Sequence, residues 1–299
     1  MKILITGGSG LIGSHFVNTY IDKYQFDILS RQGSGCAHLF TSAKTLTFIK
    51  NIEQKSNLNE YDAVINLAGE PIVDKRWTTK QKRKICQSRW KLTHHLSKLI
   101  NDSTSPPATF ISGSAVGFYG RQGDDEINES FTKVYPEFSH RVCKIWEDKA
   151  KLAQAKTHVC LLRTGIVLDP KKGALSKMLP AFKCGVGGKI SHGNQYMPWI
   201  HIQDMVRAID FLLTNPSSEG VYNVTAPTPV TNKEFSKTLA QTLHRPDFAT
   251  VPAFALKLLM GESADLVLYG QNAIPHHLLK EKFEFKFPTL EPALQDLLS

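Results

Sequence analysis

A chain of 299 residues, 41% of them hydrophobic and 21% charged, carries enough apolar material for a large core in one domain or two, and no apolar run reaches the ~20 residues that span a bilayer. The net charge of +9 raises nucleic acid as a partner, but much of the excess lies between Lys75 and Lys91 and no RNA- or DNA-binding signature accompanies it, so a small molecule is the expected partner. Five widely spaced cysteines (Cys36, Cys86, Cys143, Cys160 and Cys184) with no C-x-x-C pair exclude a disulfide or zinc framework and read as free thiols in a reducing compartment, with cytoplasm the expected location.

The chain opens on an apolar strand, Lys2-Ile3-Leu4-Ile5, too close to the first residue to leave room for a signal peptide. It runs into Thr6-Gly7-Gly8-Ser9-Gly10-Leu11-Ile12-Gly13 and then a helical stretch beginning at Ser14. Gly7 permits the turn, Gly10 lets backbone approach a pyrophosphate, and Gly13 lets the helix lie close to the sheet. The helix N-terminus offers free N–H groups to the anion. Between a strand and a helix, this spacing predicts a dinucleotide site over Gly7, Gly8, Ser9, Gly10, Leu11, Ile12 and Gly13.

Residues 26–29 read as a second strand, ending in Ser30-Arg31. An acidic residue at that point selects the 2′-hydroxyl of NAD, whereas a basic one accommodates the 2′-phosphate of NADP. Asp27 comes too early, so Ser30 and Arg31 point to NADP. Strands follow at 45–48 and 63–67. The second of these ends in Asn66-Leu67-Ala68-Gly69, whose small residues let Leu67, Ala68 and Gly69 pass close to the adenine ribose while Asn66 braces a neighbouring strand. A long helix over 78–100, a strand at 109–112, a helix over 140–155 and a strand at 159–162 complete an alternation that implies a Rossmann-type, doubly wound parallel α/β sheet.

After Thr164 glycines and prolines become frequent. A helix is expected over 204–213, a strand over Gly220–Val224, and helices over 232–243 and 253–261. The reading is an NADP-binding domain over 1–165 and a smaller C-terminal α+β substrate lobe over 166–299, interleaved with the first where the chain returns. In the run Trp199, His201 and Asp204, tryptophan is expected to fill the junction between lobes and Asp204 to cap the helix that starts there. His201 faces either structure or ligand. The glycine-rich loop 183–189 reads as a flexible connector.

The chain resembles the extended short-chain dehydrogenases/reductases, the group of the nucleoside-diphosphate-sugar epimerases. More narrowly, it is similar to an atypical epimerase-family branch with an extra C-terminal segment, here 251–299. The resemblance rests on Asn66-Leu67-Ala68-Gly69-Glu70-Pro71-Ile72 with Arg76-Trp77, on Gly113-Ser114-Ala115-Val116-Gly117-Phe118-Tyr119-Gly120, on Leu162-Arg163-Thr164-Gly165-Ile166-Val167-Leu168, and on Pro198-Trp199-Ile200-His201-Ile202-Gln203-Asp204. It implies NADP as cofactor, with Val167 among the contacts. Arg89 stands where related enzymes place asparagine; it reaches either the cofactor phosphates or backbone carbonyls, and Lys84 is a further contact at the adenosine end. Ser114 matches the family's serine, which would polarise a carbonyl or hydroxyl during hydride exchange. The family's Tyr-x-x-x-Lys pair is missing, because Ser139 and Cys143 fall at those positions. His140 and Lys144 share the spacing but read as surface residues and Tyr119 as a packed side chain; Tyr196 and Glu70 are the other candidate proton donors, Glu70 reading equally as a structural hydrogen-bonding group. Two functions follow: an NADP-binding oxidoreductase or epimerase-like enzyme, or a non-catalytic NADP-binding regulator or redox sensor that lacks the proton relay.

Overall fold

A computed structural model describes residues 1–42 and 45–299. Its centre is a seven-stranded, all-parallel sheet. In chain order the strands are β1 (Lys2–Thr6), β2 (Gln25–Leu29), β3 (Leu46–Ile49), β4 (Ala63–Asn66), β5 (Thr109–Ala115), β6 (His158–Thr164) and β7 (Gly220–Val224). In space they lie in the order β7-β6-β5-β4-β1-β2-β3. Layers of helix cover both faces, which is why Ile3, Leu4 and Ile5 are consecutive and all buried.

One helical layer holds α1 (Leu11–Tyr20) and α5 (Ile202–Thr214), joined to the sheet through Phe16, Val17, Met205 and Ile209. The other holds α2 (Thr79–Asn101) and α3 (Phe138–Lys151), with Leu96, Leu99, Ile100 and Ala150 against Leu4, Val64 and Phe110. Helix α1 begins at Leu11, not at Ser14, because Gly10 in extended backbone already forms its N-cap. β5 runs three residues beyond 112, since Gly113, Ser114 and Ala115 stay in register with Leu162, Arg163 and Thr164 of β6. Helix α3 ends at Lys151, short of 155, in a series of turns.

The C-terminal half builds a second core. Helices α4 (Gly173–Lys183), α6 (Asn232–Thr242) and the terminal Leu290–Leu298 enclose Leu175, Phe182, Trp199, Phe235 and Leu294. This half is interleaved with the first: β7 pairs in parallel with β6 to complete the main sheet, and α5 packs on α1. The stretch 251–299 serves both cores, with Leu278 and Phe283 in the sheet-side cluster and Phe287 and Leu290 in the lobe. Asp204 does not cap α5 as expected. His201 is the N-cap, its Nδ1 accepting from the Gln203 amide at 3.1 Å, while Asp204 accepts from the backbone amides of Lys286 and Phe287 at 2.8 Å each. His201 accordingly faces Phe287, ring centroids 3.9 Å apart, and the terminal helix. All five cysteines are unbridged. Among the described residues no helix is long and apolar enough to cross a membrane, and no His, Cys, Asp and Glu cluster is arranged to hold a metal.

Candidate functional site

The sheet order reverses between β1 and β4, and an open α/β sheet presents its ligand crevice at such a point, beyond the strand C-termini. The loops leaving these two strands press against each other. Gly7 has φ +72°, and a Cβ on it would stand 2.6 Å from the Leu67 carbonyl carbon. Gly13 is closer still, since its Cβ would lie 2.3 Å from the Gly7 oxygen, so no side chain fits between helix and turn. Thr6 donates to Asn66 Oδ1 (2.7 Å) and Asn66 donates to Thr93 (2.8 Å), which fixes the second loop to β1 and to α2. The first-turn amides of α1 have no carbonyl partners within the helix and carry its positive dipole end.

A cleft of about 490 Å³ opens here. Gly7, Ser9, Gly10, Ser30, Arg31, Leu67, Ala68 and Gly69 line it, so residues from three separate loops converge. Arg31 is exposed and, among the described residues, makes no ion pair, while Ser30 beside it accepts from the Gln32 amide at 3.2 Å. Asp27 is buried and accepts from Tyr61 at 2.8 Å, away from the cleft. Lys50, Asn51 and Glu53, which follow β3, and Ser88 and Leu92 of α2 also line the cleft and were not expected. Lys50 had a signal in the sequence, being a cation directly after a strand in the manner of Arg31. Ser88 and Leu92 had only their helical spacing.

Several other residues expected at the cofactor are not among those lining this cleft. Leu11 and Ile12 turn their side chains to the sheet-side core at the start of α1, Gly8 and Gly13 lie in the strand–helix turn, and Val167 is buried in the same core. Lys84 is exposed and does not line the cleft. Nor does Arg89: its guanidinium donates to the carbonyls of Glu70 (3.0 Å) and Ile85 (3.2 Å) and stacks over Trp146, with burial lowering its pKa. It stands against Gly69 and braces that loop through these carbonyls.

At the end of β5, Ser114 donates to Glu147 Oε1 (2.7 Å), and Arg163 grips Glu147 with two bonds of 2.9 Å. Arg163 also donates to the Tyr119 hydroxyl (3.1 Å), which donates to Asn223 Oδ1 (2.7 Å). Burial opposes the Arg163 charge, but Glu147 more than offsets it and the pKa rises. Ser114 is therefore buried, with its hydroxyl proton directed at Glu147. Ser139 donates to Glu137, and burial with the nearby Glu147 charge pushes the Cys143 thiol up to about 12, so neither replaces a tyrosine–lysine pair. His140 is half-buried, not exposed as expected, because its Nδ1 bonds the Phe118 carbonyl, whereas Lys144 is exposed and pairs outward with Asp148. Glu70 lines the cleft and accepts from Gln81 at 3.4 Å.

A glycine-rich strand–helix turn at the reversal of an all-parallel sheet, facing a cleft with an unpaired cation at the end of β2, defines a Rossmann-type dinucleotide-binding fold. The chain belongs to the NAD dependent epimerase/dehydratase family, whose profile matches residues 3–225, and a domain of unknown function (DUF1731) matches 251–297. It is 36% identical over 303 residues to the chloroplastic epimerase family protein SDR39U1 homolog of Arabidopsis thaliana, covering all of this chain and 87% of the relative. With epimerase family protein YfhF of Bacillus subtilis the identity is 33%, covering all of this chain and 98% of the relative. Among solved structures, human epimerase family protein SDR39U1 (isoform 2) with NADPH superposes with a TM-score of 0.90 at 29% identity, covering 99% of each chain. UDP-glucuronic acid 4-epimerase of Bacillus cereus shares the fold, with a TM-score of 0.79 at 16% identity over 99% of this chain and 98% of that one.

Proposed function

We propose that this chain binds NADP in the cleft between the β1 and β4 loops and exchanges hydride with a carbonyl or hydroxyl compound. The observation that carries the reading is the convergence of Gly7, Ser9 and Gly10 with Ser30 and the unpaired Arg31 on one cavity. Backbone amides after β1 would face the pyrophosphate, Leu67, Ala68 and Gly69 the adenine ribose, and Arg31 with Ser30 the 2′-phosphate. The human relative solved with NADPH supports the same cofactor. When bound, the nicotinamide supplies hydride transfer. The chain's own part would be to orient that ring near the end of β5, where the Ser114 hydroxyl proton is held by Glu147 and its oxygen lone pairs are left to accept. It would therefore accept a hydrogen bond there, with the proton of the reaction exchanged outside the usual tyrosine.

A second reading, an NADP-binding regulator or redox sensor without turnover, is favoured by one observation: the positions of the family's tyrosine and lysine hold Ser139, bonded to Glu137, and the buried thiol of Cys143, and Ser114 is bonded to Glu147. Incubation with NADPH and a panel of carbonyl compounds and sugar nucleotides separates the two. Loss of NADPH absorbance or an epimerised sugar supports the enzyme. NADPH that binds tightly and is recovered unchanged throughout supports the regulator.

A further inference from the structure

Helix α2 has two working faces. One carries Ser88 and Leu92 to the dinucleotide cleft; the other, at spacings of three and four residues, carries Thr79, Arg83, Cys86 and Trp90 to a separate groove of about 1000 Å³ against the start of α3. The two cavities share no lining residue. The groove takes Lys82, Arg83 and Lys91 from the basic run between Lys75 and Lys91.

Its charge is one-sided. The two carboxylates that line it are both answered: Glu262 by Lys82 at 2.6 Å, and Glu137 by Arg121 at 3.1 Å and by Ser139. Three cations that line it, Arg83, Lys91 and Arg141, have no ion-pair partner among the described residues. The groove also has aromatic walls. Trp90 is fixed by donating from Nε1 to the Val142 carbonyl (3.0 Å), and Phe138 is held edge-on against Trp77 with centroids 4.8 Å apart. Unpaired guanidinium groups beside pre-positioned rings suit a ligand that is both anionic and planar. Two copies of this chain meeting across the groove would instead bring like charges together.

We propose that this groove is a second ligand site, distinct from the dinucleotide cleft, that takes a phosphorylated, ring-bearing small molecule of the nucleoside phosphate class. Arg83, Lys91 and Arg141 receive the phosphates, and Trp90 and Phe138 flank the ring. The site does not depend on the cofactor reading, because α2 separates the two cavities.

ADP serves as the probe, titrated calorimetrically into the protein already saturated with NADPH, so that the cleft is closed to it. The expected result is one ADP per chain, bound at least tenfold more weakly by an Arg83→Glu/Arg141→Glu variant and unchanged in Lys237→Glu, a charge reversal at an exposed position of α6. NADPH affinity should be the same in all three, and ADP should slow alkylation of Cys86 but not of exposed Cys184. Arg31→Asp should leave ADP binding at the groove intact, so failure of NADPH to bind and failure of the groove are told apart. The proposal is overturned if NADPH-loaded protein takes up no ADP, or if tripolyphosphate binds as well as ADP. It is also overturned if a single-stranded RNA oligomer binds more tightly than ADP with a steep salt dependence, or if the groove proves buried in a stable dimer by sedimentation.

Discussion

Gly13 and Glu147 show how differently single residues are constrained here. Gly13 is limited by space. An alanine Cβ would meet the Gly7 oxygen at 2.3 Å, with backbone rather than a movable side chain in the way. Gly13→Ala is expected to cost about 1–3 kcal/mol in urea unfolding and to weaken dinucleotide binding with it, because the turn itself must shift. Glu147 is limited by charge. Its removal as Glu147→Ala leaves Arg163 buried and unpaired, at a cost of about 3–5 kcal/mol, whereas Ser114→Ala removes one hydrogen bond and costs about 1 kcal/mol. Equal losses for the two would refute the view that Ser114 is an accessory to the ion pair. The glycine turn was legible in sequence because its geometry is local. The Ser114–Glu147–Arg163 chain was not, because it needs the register of β5 on β6 and the seating of α3 on both.

At the scale of elements, α5 is the joint between the two cores, and His201 at its N-terminus is the titrating part. Burial lowers the His201 pKa below 6.5, outweighing the attraction of Asp296. As pH falls below 6.5 the unfolded chain takes up a proton that the folded chain refuses. This contribution to stability is therefore complete above 6.5 and is lost progressively as pH falls toward the folded value. His201→Asn retains a capping oxygen and is expected to flatten the slope of unfolding free energy between pH 7 and pH 5. An unchanged slope would assign the pH dependence elsewhere. Strand and helix positions in the first half were readable from the alternation of apolar runs. The ends were not, since β5 is lengthened by its partner β6 and α1 starts on a glycine without a side-chain cap. Asp204 looked like a cap from its place beside a helix start, and only the return of the chain at 286–287 shows what it holds.

For the molecule as a whole, interleaving is the governing fact. β7 lies in the main sheet although the chain reaches it only after α4 and the first turns of the second core, and 251–299 contributes to both cores. Unfolding one core therefore exposes the edge of the other. A single cooperative urea transition is expected, with coincident far-ultraviolet and tryptophan signals. Two separated transitions would show that the cores are independent. A change of texture near Thr164 was visible in the sequence, but the pairing of Gly220–Val224 with β6 is long-range and leaves no mark in composition.

In the proposed function the cleft holds NADP and Arg31 selects it. The most direct test of that reading is the titration of wild-type and Arg31→Asp protein with NADPH and NADH, followed by cofactor fluorescence. Wild type should prefer NADPH by at least tenfold, and Arg31→Asp should remove that preference by weakening NADPH while leaving NADH nearly unchanged. Equal affinity of the wild type for both cofactors, or equal loss of both in the variant, would contradict the account.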